Sequence, residues 1–266
     1  MRHFIMNIQA VLGLALLLMG TSVSDAEEST PPWSQADTYW GAEEMAKSRA
    51  EVQASHGATP HLFAMADRLE TQFSYGDEVT VWDLQGWYGG DIDKLWVKSE
   101  GEWHLGKEVE DAEVQALWSR AVSAFWDVQA GIRYDWEPDS RAHAVLGVQG
   151  LAPYWFEVDA AAFLSDEGDL TARFESEYEL LLTQRLILQP RAELELSAQD
   201  IRDRDIGAGF TNLDLGLRLR YEIAREAAPY IGVEWQKSMG ETGNIIEAAG
   251  GDDENTAFVL GIRAWF

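Results

Sequence analysis

The sequence predicts an all-β fold: an antiparallel transmembrane β-barrel of outer-membrane type with about 12 strands. Three observations carry this. Between residues 59 and 266, apolar and polar side chains alternate with period two in segment after segment, the mark of strands with two unlike faces. The segments are long, often 11–14 residues, which suits a tilted membrane crossing better than an ordinary short strand. After residue 26 no apolar run approaches the roughly 20 residues that a spanning helix needs.

The chain begins differently. Arg2 and His3 lead into "AVLGLALLLMG" and then "TSVSDA". A basic start, a short apolar core and small residues at Ser24 and Ala26 read as a signal peptide, residues 1–26. With no cysteine to lipidate, it is not a lipoprotein signal. Residues 27–58 are expected to form a flexible N-terminal periplasmic segment. "EESTPPWSQAD" is a polar, proline-containing linker, and good helix formers run from Asp37 to a stop at Gly57. Residues 59–266 are the expected barrel.

The predicted strands are 61–73, 78–88, 91–101, 109–120, 124–136, 142–152, 155–165, 169–182, 185–197, 209–223, 227–239 and 255–266. Turn signals such as "YGD", "EPDSR", "SDEGD" and "GGDDEN" separate them, and no helix is expected among them. In 169–182, Leu170, Ala172, Phe174, Tyr178 and Leu180 share one face and Arg173, Glu175, Glu177 and Glu179 the other. In the fifth strand Val128, Ile132 and Tyr134 oppose Asp127, Gln129, Arg133 and Asp135. In the tenth, Leu213, Leu215, Leu217 and Leu219 oppose Asp214, Arg218 and Arg220.

Alternation alone does not say which face meets water, because a soluble sandwich gives the same pattern. Besides strand length, three features favour a barrel with its apolar face toward lipid. Arginine outnumbers lysine 15 to 5, and planar guanidinium suits fixed, partly buried ion pairs. Aromatics lie near strand ends, at Trp118, Trp126, Trp136, Tyr154, Trp155, Tyr221, Tyr230 and Trp235, as in interfacial girdles. The final residue, Phe266, resembles the terminal assembly signal of bacterial outer-membrane barrels. Outer-membrane lipid is thus an expected partner.

A net charge of −26 argues against nucleic acid as a partner and suits cations. The lack of cysteine excludes thiolate metal sites and thiol nucleophiles. Ser140 and His143 are close in sequence but form no motif with hydrolytic specificity, so no enzymatic function is expected. The inward face is charged. Its expected carboxylates are Glu157, Asp159, Glu175, Glu177, Glu193, Glu195, Asp214, Glu222 and Glu234, and its cations Arg133, Arg173, Arg191, Arg218, Arg220 and Arg263. Most should pair across the lumen, leaving a few carboxylates free for a cation. Imidazole and thioether suit copper, and Met45, His56, His61 and Met65 fall within 21 residues. Met65 shares strand parity with Asp67, Leu69 and Phe73, which points it outward unless a bulge intervenes.

Several stretches closely resemble the copper resistance protein B family, notably "DTYWGAEEMAKSRAEVQASHG", "WDLQGWYGGDIDKLWVKSEGE" and "VLGVQGLAPYWFEVDAAAFLSDEGDLTARFESEYELLLTQRLILQPR". The resemblance runs from Asp37 to Phe266. It implies an outer-membrane barrel of a Gram-negative bacterium that binds copper, as bound ion or cargo, and supports copper tolerance beside a periplasmic multicopper oxidase. Family members often carry an N-terminal segment dense in Met and His, whereas Glu27 to Asp37 contains neither residue. The expected copper ligands are Met45, His56, His61 and Met65 at the periplasmic mouth, with Glu175, Glu177, Glu193 and Glu195 as an acidic path. The alternative is a general or structural channel without metal selectivity.

Overall fold

The computed structural model describes residues 32–56, 59–74, 77–104 and 109–266. The expected signal peptide lies outside the described residues. The chain falls into two units, one ending at Pro60 and one running from His61 to Phe266.

In the first unit, α1 (Asp37–Trp40) and α2 (Ala42–His56) replace the single helix expected from Asp37. The break is Gly41, whose φ of +85° is not helical. Arg49 donates to both carboxylate oxygens of Asp37, at 2.6 and 3.2 Å, and lies 4.5 Å above the Trp33 ring. Neither helix contains a buried residue.

The second unit is a barrel. Its strands are β1 (His61–Ser74), β2 (Asp77–Gly89), β3 (Asp93–His104), β4 (Val109–Ala121), β5 (Trp126–Glu137) and β6 (Arg141–Ala152). They continue with β7 (Phe156–Ser165), β8 (Leu170–Glu177, resuming at Leu180–Leu181), β9 (Leu186–Ser197), β10 (Gly209–Tyr221), β11 (Ala227–Ser238) and β12 (Glu254–Trp265). Each strand pairs antiparallel with its sequence neighbours, and β12 returns to β1 through pairs such as Phe73↔Phe258. Closure leaves no sheet edge, so the backbone polar groups of the wall are satisfied within it.

The apolar faces point outward. Ile132, Leu146, Leu217, Phe258 and Leu260 are exposed, while Gln129, Asp135, Arg218 and Arg220 are buried inside. The fold thus inverts a soluble β-protein, with a lipid-type surface around a polar interior. Trp118, Trp136, Tyr154, Trp155 and Tyr221 are exposed as a girdle requires. Tyr230 does not belong with them. It is 4% exposed and faces the lumen, where its hydroxyl donates to Glu70 at 2.8 Å. Period two from Glu234 already places it there, and nearness to a strand end misleads.

Two further departures matter. A bulge in β1 between Ala66 and Leu69 reverses the strand's parity. Its sign in the sequence is the polar pair Asp67–Arg68 interrupting the alternation. Met65 before the bulge and Asp67 within it therefore face inward, as do Glu70 and Gln72 after it. The β11–β12 connection also contains a helix, α3 (Gly240–Ala248), which was not expected. Its glycines read as a turn in sequence, but Gly240 and Gly250 only bound it, with φ of +57° and +86°.

Candidate cation path in the lumen

Register decides which inward side chains share a level. Asp159 on β7 pairs with Glu175 on β8, Glu175 with Glu193 on β9, and Glu193 with Asp214 on β10. Four carboxylates from four consecutive strands thus form one row across the wall. Like charges directly opposite each other repel, so this row needs cations. The strands supply them one step to either side. Arg173 contacts Glu195 and Glu193, each at 3.4 Å, and Arg191 contacts Glu175 at 2.9 Å and also Glu193. Lys98 on β3 pairs with Asp159.

The two arginines also leave the row. Arg173 reaches Glu100 on β3 at 2.9 Å and Glu113 on β4 at 3.1 Å. Arg191 reaches toward Glu234 on β11, at 3.7 Å, past Gly216, the residue opposite it on β10. A Cβ at Gly216 would lie 2.3 Å from Arg218 Nη1 and 2.4 Å from Glu234 Oε2, so glycine keeps this crossing open. Arg218 makes a bidentate contact to Glu70, at 2.8 and 2.9 Å. Guanidinium groups therefore tie β8–β10 to β1, β3, β4 and β11, and the middle of the lumen is filled. A cavity beside Arg173, Glu175 and Phe163 measures only about 30 Å³, room for a water or two.

Inward apolar residues complete this filling. Leu117, Val145 and Phe163 form a small core on the lumen side, and Arg133 and Arg173 lie 4.9 and 5.8 Å from the Phe163 ring. Alternation in β4, β6 and β7 places them inward, yet their chemistry hides them from a search for charged lumen residues.

Toward the rim where β1 begins and β12 ends, the lumen widens. One cavity of about 370 Å³ is lined by Asp67, Asp83, Trp87, Lys94, Trp96, Glu157 and Glu177, among others. Another of about 310 Å³ is lined by Phe63, Glu179, Arg220, Arg263 and Trp265. Met65 borders both. Phe63 lies between Trp87 and Trp265, with ring centroids 6.1 and 6.2 Å away, and Trp96 follows Trp87 at 6.3 Å. At the opposite rim, the β9–β10 connection is anchored over β5 and β6. Arg204 contacts Asp135 at 3.0 Å, and Arg141 holds Asp203 at 2.6 Å.

Glu175, Glu177, Glu193 and Glu195 all face the lumen as expected. Each contacts Arg173 or Arg191, so none is a free carboxylate. Asp214 and Glu157 make no ion pair or side-chain hydrogen bond among the described residues. The four soft residues are spread along their own elements. Met45 and His56 are eleven residues apart on α2, about 16 Å at 1.5 Å per residue. His61 and Met65 are four residues apart on β1, about 13 Å along the strand. Among the described residues no group of three His, Asp or Glu side chains is arranged to hold a metal.

A closed antiparallel barrel with an apolar belt and a charged interior is the architecture of outer-membrane β-barrel proteins. The solved NanC porin shares this fold, with a TM-score of 0.51 over 77% of this chain and 99% of that one, at 12% identity. The chain belongs to the copper resistance protein B family: residues 61–266 match the family model described as "Copper resistance protein B precursor (CopB)". Copper resistance protein B of Escherichia coli is 42% identical over 92% of this chain and 81% of its own length. A copper resistance protein B homolog of Pseudomonas syringae pv. tomato is 43% identical over 93% and 84%.

Proposed function

We propose that this outer-membrane barrel serves copper resistance by binding copper ions and passing them through its lumen, acting as a conduit and not as a catalyst. The observation that carries the reading is the row Asp159–Glu175–Glu193–Asp214, four carboxylates at one level, flanked by two more at Glu177 and Glu195. A negative lumen concentrates cations. Exchange of a metal ion for a guanidinium between these carboxylates gives a stepwise route through an otherwise filled interior. The wider, aromatic-lined rim faces the periplasm in this reading, since it carries both ends of the barrel and the shorter turns. There Met65 supplies the soft donor and His61 lies at the rim; Met45 and His56 are further soft donors carried on α2. A periplasmic multicopper oxidase is the partner to which copper would pass.

The test is copper uptake by proteoliposomes. Replacing Glu175, Glu177, Glu193 and Glu195 by Gln slows uptake in a barrel that still folds. Unchanged uptake sinks the acidic path. A structural barrel is the second reading, favoured by the cross-lumen ion pairs, and absence of copper uptake would establish it; equal permeation of copper and small sugars would instead establish a general channel without metal selectivity.

A further inference from the structure

Arg263 sits in an unusual set of acceptors. Its Nη2 donates to the thioether of Met65 at 3.6 Å, its Nη1 to Glu179 at 2.9 Å, and its Nε lies 2.7 Å from Asp67. One sulfur and two carboxylates from β1 and the β8 break thus close on a single cation. The guanidinium is 12% exposed at its side chain, and both wide cavities reach this point through Met65. A thioether is a weak hydrogen-bond acceptor, so an arginine gains little from it. A soft monovalent metal gains far more. The stacked rings of Phe63 and Trp265 beside Met65 offer further π-faces to a cation.

We infer that Met65, Asp67 and Glu179 form a binding site for a soft monovalent metal ion, Cu(I) in the reading above, and that Arg263 is its built-in competitor. The inference rests on the copper reading only for the identity of the metal. Arg263 fills the site when metal is scarce, which keeps Asp67 from lying unpaired in the wall. An arriving ion takes the three donors, and the guanidinium swings into the cavity beside Arg225 and Glu222. Arg220 still holds Glu179, at 2.6 Å, so the β8 break stays anchored during the exchange. The bulge at residues 66–69 is what makes this possible, because it turns Met65 and Asp67 inward together.

The test titrates Ag(I), a redox-inert probe of Cu(I) sites, into the purified full-length barrel in detergent. Arg263→Gln should bind Ag(I) about tenfold more tightly than the unsubstituted chain, the scale of one charged competitor removed. Adding Met65→Leu should abolish the gain, and X-ray absorption should show sulfur around silver only when Met65 is present. Should Arg263→Gln fail to give folded barrel, Arg263→Lys, which keeps the charge but loses the fork, should give a smaller gain that Met65→Leu again removes. Equal affinity in the folded variants, or a gain that survives Met65→Leu, overturns the site. Copper uptake by the unsubstituted barrel distinguishes the two readings. Uptake without the affinity gain overturns the site and keeps the conduit; the gain without uptake overturns the conduit and keeps the site.

Discussion

Arg173 on β8 contacts Glu113 on β4 at 3.1 Å, joining two strands that share no backbone hydrogen bond. The contact lies inside the barrel, and Glu113 is 2% exposed. Arg173 is therefore both a brace and an obstruction.

Arg173→Gln removes one guanidinium from Glu100, Glu113, Glu193 and Glu195 together. Breaking a buried pair by deleting one partner costs about 3–5 kcal/mol. The expected outcome is a barrel that unfolds at lower temperature yet conducts cations better in planar bilayers. A drop in stability with no rise in conductance would mean that the obstruction lies elsewhere in the lumen.

Gly261 lies between Tyr230 and Glu70 in the register of β11, β12 and β1. A Cβ there would come 2.6 Å from the Tyr230 ring and 2.7 Å from Glu70 Cβ. Gly261→Ala should break the Tyr230–Glu70 hydrogen bond and destabilise the barrel by about 1–3 kcal/mol, the usual cost of overpacking. Heat-dependent gel migration of the variant checks this, and an unchanged transition would refute it.

The β9–β10 connection should loosen in acid. The hydrogen bond from Arg141 holds the Asp203 carboxyl below its ordinary range. Because the folded-state value is depressed, this attachment stabilises the loop at pH above the ordinary aspartate value. It is lost as pH falls below that value and through the depressed one. Cleavage of residues 198–208 by an acid-active protease should therefore rise steeply at low pH. Asp203→Asn should show the raised cleavage without that pH dependence, and equal profiles for the two proteins would disprove the latch.

The outward face can be tested at Leu260, exposed in the middle of β12. Leu260→Arg places a charge against lipid and should cost about 2–4 kcal/mol if the site lies near the bilayer midplane. Chemical denaturation from vesicles would measure it. A neutral effect would mean that this face does not meet the hydrocarbon.

Twelve strands were legible in the sequence because period two survives any tertiary context, and β10 shows how fully. Leu213 to Leu219 point out and Asp214 to Arg220 point in, as the alternation alone requires. The lumen list read from the same alternation found both hubs, Arg173 and Arg191, and all the acids of the central row. What it missed lay where local rules give way. Glu70 and Asp67 escape a simple alternation because β1 changes parity at its bulge. Closeness in sequence does not carry over to space: Met45 and His56 lie about 16 Å apart along α2, and His61 and Met65 about 13 Å apart along β1.

The sequence by itself determined that this chain closes into a barrel with lipid outside and charge inside, since strand length, alternation and guanidinium content are properties of the chain. Only the tertiary structure decided which charges meet. Register placed Asp159, Glu175, Glu193 and Asp214 on one level, and closure brought Arg218 within 2.8 Å of Glu70, 148 residues away. It also turned Met65 onto Arg263 across the β1–β12 seam. These contacts depend on how far each strand slides against its neighbour, and a one-residue slip would move every one of them to the other face.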